Sequence, residues 1–69
     1  MENFIQVCRR KSPYNKVLIN VNDIIRVEEV GYYATIVVKS YDGKGIERID
    51  AYESYSTIVD KLSETQIEL

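Results

Sequence analysis

The chain has no histidine and one cysteine among its 69 residues, so the side chains that most often serve as general base or transition-metal ligand are absent or nearly so. Arg9 and Arg10 follow Cys8 and could lower a thiol pKa. With no imidazole to take the proton, a strand cysteine beside apolar neighbours is expected to be a small core residue. Asp42-Gly43-Lys44-Gly45 carries the residue types of a phosphate loop, but it lacks the Walker spacing and reads as a hairpin turn. Glu28-Glu29 and Glu47 with Asp50 resemble acidic pairs, yet adjacent strand residues point to opposite faces, so Glu28 and Glu29 cannot share one metal ion unless the strand is bulged. No enzyme activity, cofactor or metal is expected.

The one concentrated positive feature is Arg9-Arg10-Lys11, with Lys16 and Tyr14 across the same loop. An arginine fork matches a phosphate or carboxylate, and tyrosine offers both a stacking face and a hydroxyl. Six tyrosines and no tryptophan are present, and Tyr32-Tyr33 lie together at a turn. Arg9, Arg10, Lys11, Tyr14, Tyr32 and Tyr33 are therefore the candidate ligand-binding residues, and a solvated hairpin end is the plainer alternative. Arg9 and Arg10 alternate on a strand, so at most one of them serves any one pocket.

The elements that must position these groups follow from the pattern. Seventeen Ile and Val against three Leu favour strands, because β-branched side chains pack well on a pleated surface. Alternation from Asn3 to Arg10 predicts a first strand, Lys11 to Asn15 a break containing Pro13, and Lys16 to Asn20 an antiparallel second strand. Val21-Asn22-Asp23 is a polar corner in which Asn22 or Asp23 is expected to start a short turn. Ile24 to Val30, Tyr32 to Tyr41 and Ile46 to Ala51 read as three further strands, joined at Gly31 and at Asp42 to Gly45. Ser54 is a good N-cap for one amphipathic helix from Tyr55 to Ser63, with Tyr55, Ile58, Val59 and Leu62 at helical spacing. The expected fold is α+β: an approximately five-stranded, mainly antiparallel sheet, a meander of hairpins, with one C-terminal amphipathic helix. Residues 1–63 form the domain and residues 64–69 a polar tail.

A formal charge of −2 removes the bulk electrostatic reason to expect nucleic-acid binding. A lone cysteine precludes an intrachain disulfide, and no run of apolar residues reads as a signal sequence or membrane span, so a cytoplasmic location without membrane contact is expected. A domain this small buries only about 60% of the surface its unfolded chain exposes. Its fourth strand has apolar groups on both faces, one of which is expected to be covered by another protomer, making the protein a homo-oligomer.

Val17-Leu18-Ile19-Asn20, Asn22-Asp23-Ile24-Ile25 with Val27-Glu28, Thr35-Ile36-Val37, a glycine turn, and Glu53-Ser54 before an apolar helix resemble the short flagellar FlbD-like family over roughly Lys16 to Leu62. The resemblance implies a small cytoplasmic, non-enzymatic protein. A fainter similarity, over Asp23 to Glu29 and Tyr32 to Val38, is to the LytTR DNA-binding domain. That family continues, past the point reached by this sequence, into a basic segment that contacts DNA, whereas Glu64 to Leu69 here are acidic, so DNA binding is not expected.

The resulting expectation is a self-associating binding protein, an adaptor or inhibitor of a partner protein. The alternative is a phage-type sequestering protein that holds an anionic, nucleotide-like ligand in an inter-subunit pocket. Because Cys8 is read as structural, Cys8→Ala is expected to keep the wild-type circular dichroism spectrum and any binding activity. Lost binding with unchanged folding would contradict that reading.

Overall fold

The computed structural model describes residues 3–65. In chain order the elements are β1 (Phe4–Cys8), β2 (Lys16–Asn20), a 3-10 turn (Val21–Asp23), β3 (Ile24–Val30), β4 (Tyr33–Lys39), β5 (Ile46–Ala51) and α1 (Tyr55–Thr65). The class is α+β and all strand pairs are antiparallel, but the five strands are divided between two sheets rather than joined in one meander. β1 and β2 form a hairpin; β3, β4 and β5 form a three-stranded sheet. The division lies at the corner after β2. Asn20 Oδ1 accepts from the Asn22 N–H at 2.9 Å, so Asn20, not Asn22 or Asp23, caps the turn there. A helical turn in place of a hairpin turn sends β3 away without pairing to β2.

The two sheets meet along a short seam at the other end of β1. Arg9 forms an isolated antiparallel bridge with Ala51, the Arg10 N–H donates to Asp50 O at 2.8 Å, and the Tyr52 N–H donates to Cys8 O at 2.8 Å. The Glu53 carboxylate accepts from the Cys8 N–H at 3.1 and 3.2 Å. Arg9 also donates its N–H to Asn15 O across the hairpin, so the segment after β1 bonds alternately to β2 and to the end of β5.

The core fills the space between the sheets. Ile5, Val7 and Ile19 of the hairpin meet Ala34, Ile36, Val38, Ile49 and Ala51 of the sheet, with Ile58 of α1 closing one side. The period-two spacing of these strand residues is the inward face of each pleat. Burying each such isoleucine or valine contributes about 1.5 to 3 kcal/mol. Ser54 Oγ accepts from the Thr57 N–H at 3.3 Å and so caps α1 as its residue type predicts. Ile58 and Leu62 face the core, whereas Tyr55 and Val59 remain partly exposed. α1 runs beyond Ser63 to Thr65, which places Glu64 in the helix and not in a tail; residues 66–69 lie outside the described residues.

β4 is the central strand of its sheet, and both of its faces are buried within one chain: Thr35 and Val37, on the face away from the core, are 5% and 0% exposed. Arg26 and Arg48 flank Val37, and Glu28 and Asp50 flank Thr35. Arg26 Nε lies 2.7 Å from Glu28 Oε2 and Arg48 Nη1 lies 3.7 Å from Glu28 Oε1, so the aliphatic stems of two arginines are held across the strand. The second apolar face of β4 thus has cover without a second protomer. Among the described residues no helix is long and apolar enough to cross a membrane.

Removing the Glu53 carboxylate leaves the part-buried Cys8 N–H at the seam without its acceptor. Glu53→Ala is expected to cost about 1 to 3 kcal/mol in urea unfolding, and Glu53→Gln, which keeps an acceptor oxygen, clearly less. Equal losses for the two variants would show that this hydrogen bond is not what Glu53 contributes.

Candidate functional site

The six candidate residues do not share one place. Arg10, Lys11 and Tyr33 gather on the outer face of the three-stranded sheet, around Asp50. Arg10 Nη1 donates to Ala51 O at 2.9 Å, Nη2 lies 3.6 Å from Asp50 Oδ1, and the guanidinium carbon sits 4.6 Å above the centre of the Tyr33 ring. Lys11 Nζ lies 3.3 Å from Asp50 Oδ2, and Thr35 Oγ1 donates to Asp50 Oδ1 at 3.0 Å. Tyr33 stacks at a tilt on Tyr52, with ring centres 5.7 Å apart. The arginine fork and the tyrosine face expected to receive a ligand are therefore occupied by each other and by Asp50. The hydrogen bond from Thr35, assisted by Lys11 and Arg10, holds the Asp50 carboxyl below the usual aspartate range against the opposing effect of burial.

Tyr14 and Tyr32 stand apart on loop tips, 76% and 90% exposed. Tyr32 follows Gly31, whose φ of +60° supplies the left-handed residue that the tight β3–β4 turn needs. The Asp42 to Gly45 segment is a turn closed on itself. Asp42 Oδ1 accepts from the Lys44 N–H at 2.9 Å and from Ser40 Oγ at 2.8 Å, and the Gly43 N–H is taken by Ser40 O. The Lys44 contact is the main reason the Asp42 carboxyl is held low, and two of the amides that a phosphate loop would present are engaged here.

Arg9 takes the opposite face, as strand alternation requires, and lines a cleft of about 260 Å³ between β2 and the β4–β5 hairpin. Val17, Ile19, Val38 and Ile49 supply apolar wall, with Tyr41 and Glu47 beside them. Arg9 Nε is buried and finds no acceptor among the described residues, and Arg9 enters no ion pair among them. A solvent-excluded donor of this kind costs about 1 to 3 kcal/mol while unpaired.

Tyr41 is a site residue that the sequence pattern alone did not single out, and Glu47 and Asp50, which it offered only as an acidic pair, belong to two different places. Counting outward from the Asp42 to Gly45 turn places Asp50 opposite Thr35, a signal available in the chain. Nothing local brings Tyr41 or Glu47 to Arg9, because that proximity comes from packing one sheet on the other. The three carboxylates with displaced pKa values, Glu28, Asp42 and Asp50, are all displaced downward by their own partners, which suits structural anions and not general acids working near neutrality. Among the described residues no group of three His, Cys, Asp or Glu side chains is arranged to hold a metal ion. Comparison with protein-family models, curated proteins and solved structures finds no match to this chain.

Asp50 links stability to pH. Its folded-state pKa lies below that of the unfolded chain, so its contribution is fully present above the ordinary aspartate range and is lost as the pH falls through the folded-state value. Asp50→Asn is expected to be less stable than wild type at neutral pH and to lose less stability on acidification. Parallel pH dependences of urea stability for the two proteins would show that Asp50 is not a source of this linkage.

Proposed function

We propose that this protein binds without catalysing, and that the ligand is a small anion with an apolar or aromatic body, held in the cleft beside Arg9. The observation that carries this reading is the state of Arg9: a guanidinium nitrogen withdrawn from water, without an acceptor, against a cleft with apolar walls. A charge-assisted hydrogen bond to such a group gains more than one to a hydrated surface cation. Arg10 and Lys11 already meet Asp50, which leaves Arg9 as the better anion partner of the cluster. Lys39 adds a second cation to the cleft lining and Asp23 and Glu47 two acids, so the lining charges balance, which favours a single carboxylate or a monophosphate over a polyphosphate. Sequestration is the activity that binding of this kind supplies, and the resemblance to the FlbD-like family is consistent with a non-enzymatic protein.

A second reading, an adaptor or inhibitor that grips a partner protein, draws on the tyrosines at three separate loop tips, Tyr14, Tyr32 and Tyr41, each at least 76% exposed. Aromatic anchors of this kind dominate many protein interfaces.

Titration calorimetry against nucleoside monophosphates and aromatic carboxylates tests the first reading. Arg9→Gln is expected to weaken binding about ten- to a hundredfold, with little change for Arg10→Gln. No heat from any of these compounds with wild-type protein would overturn anion sequestration and leave the adaptor reading in its place.

A further inference from the structure

The edges of the two sheets are not equally protected against pairing with another strand. β3 is interrupted by a register shift between Ile24 and Arg26 and carries Arg26, Glu28 and Glu29, two devices that discourage edge-to-edge contact. The C-terminal end of β5 is bonded to the segment after β1. β2 has neither defence: its pairing with β1 is unbroken from Lys16 to Asn20, it has no proline, and its single charge is Lys16.

The hydrogen-bonding phase of β2 follows from the two ends of the hairpin. Arg9 donates its N–H to Asn15 O at 2.9 Å, and Val21 donates its N–H to Asn3 O at 2.7 Å. In an antiparallel pair the bonded residues alternate, so Asn15, Val17, Ile19 and Val21 turn their main-chain groups toward β1, while Lys16 and Leu18 turn theirs outward. Leu18 stands at the middle of β2 with its side chain 64% exposed.

We infer that a second copy of this chain docks antiparallel along β2, with the two-fold axis at Leu18. In that register Leu18 meets Leu18 of the second copy as a hydrogen-bonded pair, and each can donate to and accept from the other. Lys16 meets Asn20 of the second copy and lies beside its Asp23 corner, so the charges at the two ends complement each other. A parallel arrangement would instead set lysine against lysine. The result is a four-stranded sheet running β1, β2, β2, β1 across the axis. Val17 and Ile19 line the Arg9 cleft of each copy, so the two clefts fall on one face of the joined sheet, on either side of the axis. This assignment does not depend on what the cleft holds. A contact built on one five-residue strand lies at the small end of specific interfaces, so the dimer forms and dissociates with concentration.

Sedimentation equilibrium of the wild-type chain is expected to show a mass rising from 8.0 kDa toward that of a dimer as concentration approaches millimolar. Synthetic protein carrying N-methyl-leucine at position 18 has an N-methyl group in place of the outward N–H and is expected to stay monomeric with an unchanged circular dichroism spectrum. Leu18→Lys, at an exposed position, gives the same result by charge repulsion. Oxidation of the Cys8→Ala/Leu18→Cys variant is expected to give a covalent dimer, whereas Cys8→Ala/Val59→Cys, with its thiol on α1, gives little. A wild-type chain that remains monomeric throughout, or a dimer that survives both changes at position 18, overturns the proposal; survival would place the interface elsewhere on the chain.

Discussion

Everything in this small domain hangs on the few hydrogen bonds that fasten residues 8–10 to residues 50–53. A two-stranded hairpin alone is marginal in water, and the three-stranded sheet has an apolar face that one helix covers only in part. The seam converts the two into opposite walls of one core. It pairs the backbone of Cys8 and Arg10 with Tyr52 and Asp50, and the Glu53 carboxylate accepts from the Cys8 N–H beyond the last strand residue. Ser54 follows at once as the helix cap, so the turn that completes the seam also launches α1 toward the core through Ile58.

The outer face of the three-stranded sheet shows how a chain of this size covers a strand that is apolar on both sides. Val37 and Thr35 are roofed by charged side chains from the strands on either side, and those charges are set against one another: Arg26 and Arg48 on Glu28, Arg10 and Lys11 on Asp50. Exposed ion pairs of this kind add little stability individually. What they provide is placement, since a paired arginine keeps its stem over the valine beneath it. Arg9 is the exception to this economy. One residue away from Arg10 and on the other face, it has a buried Nε for which the described residues supply no acceptor.

The position of α1 explains why the cleft exists at all. The helix packs against β1, β3 and β4 and closes that side of the space between the sheets. No comparable element closes the side along β2, so Val17 and Ile19, packed into the core, also border an opening. The same lack of cover leaves the β2 backbone accessible. Cleft and free edge are two consequences of having one helix where a closed sandwich would need a lid on each side.

The chain's own pattern determined the local structure: five strands by alternation and β-branched content, the turn at Gly31 by its need for positive φ, the turn at Asp42 to Gly45, and the helix start at Ser54. These depend on the φ/ψ preferences, hydrogen-bonding side chains and periodicity of neighbouring residues, all of which a sequence displays. The opposite orientation of Arg9 and Arg10 was legible for the same reason. Tertiary structure alone decided that the five strands split into two sheets at Asn20, that Arg10 would be taken up by Asp50 and Tyr33, and that Tyr41 and Glu47 would join Arg9. Each of these joins residues separated by about twenty or more positions, or turns on which of several polar side chains caps a corner. Such outcomes rest on how the elements pack together, and no short stretch of sequence carries that information.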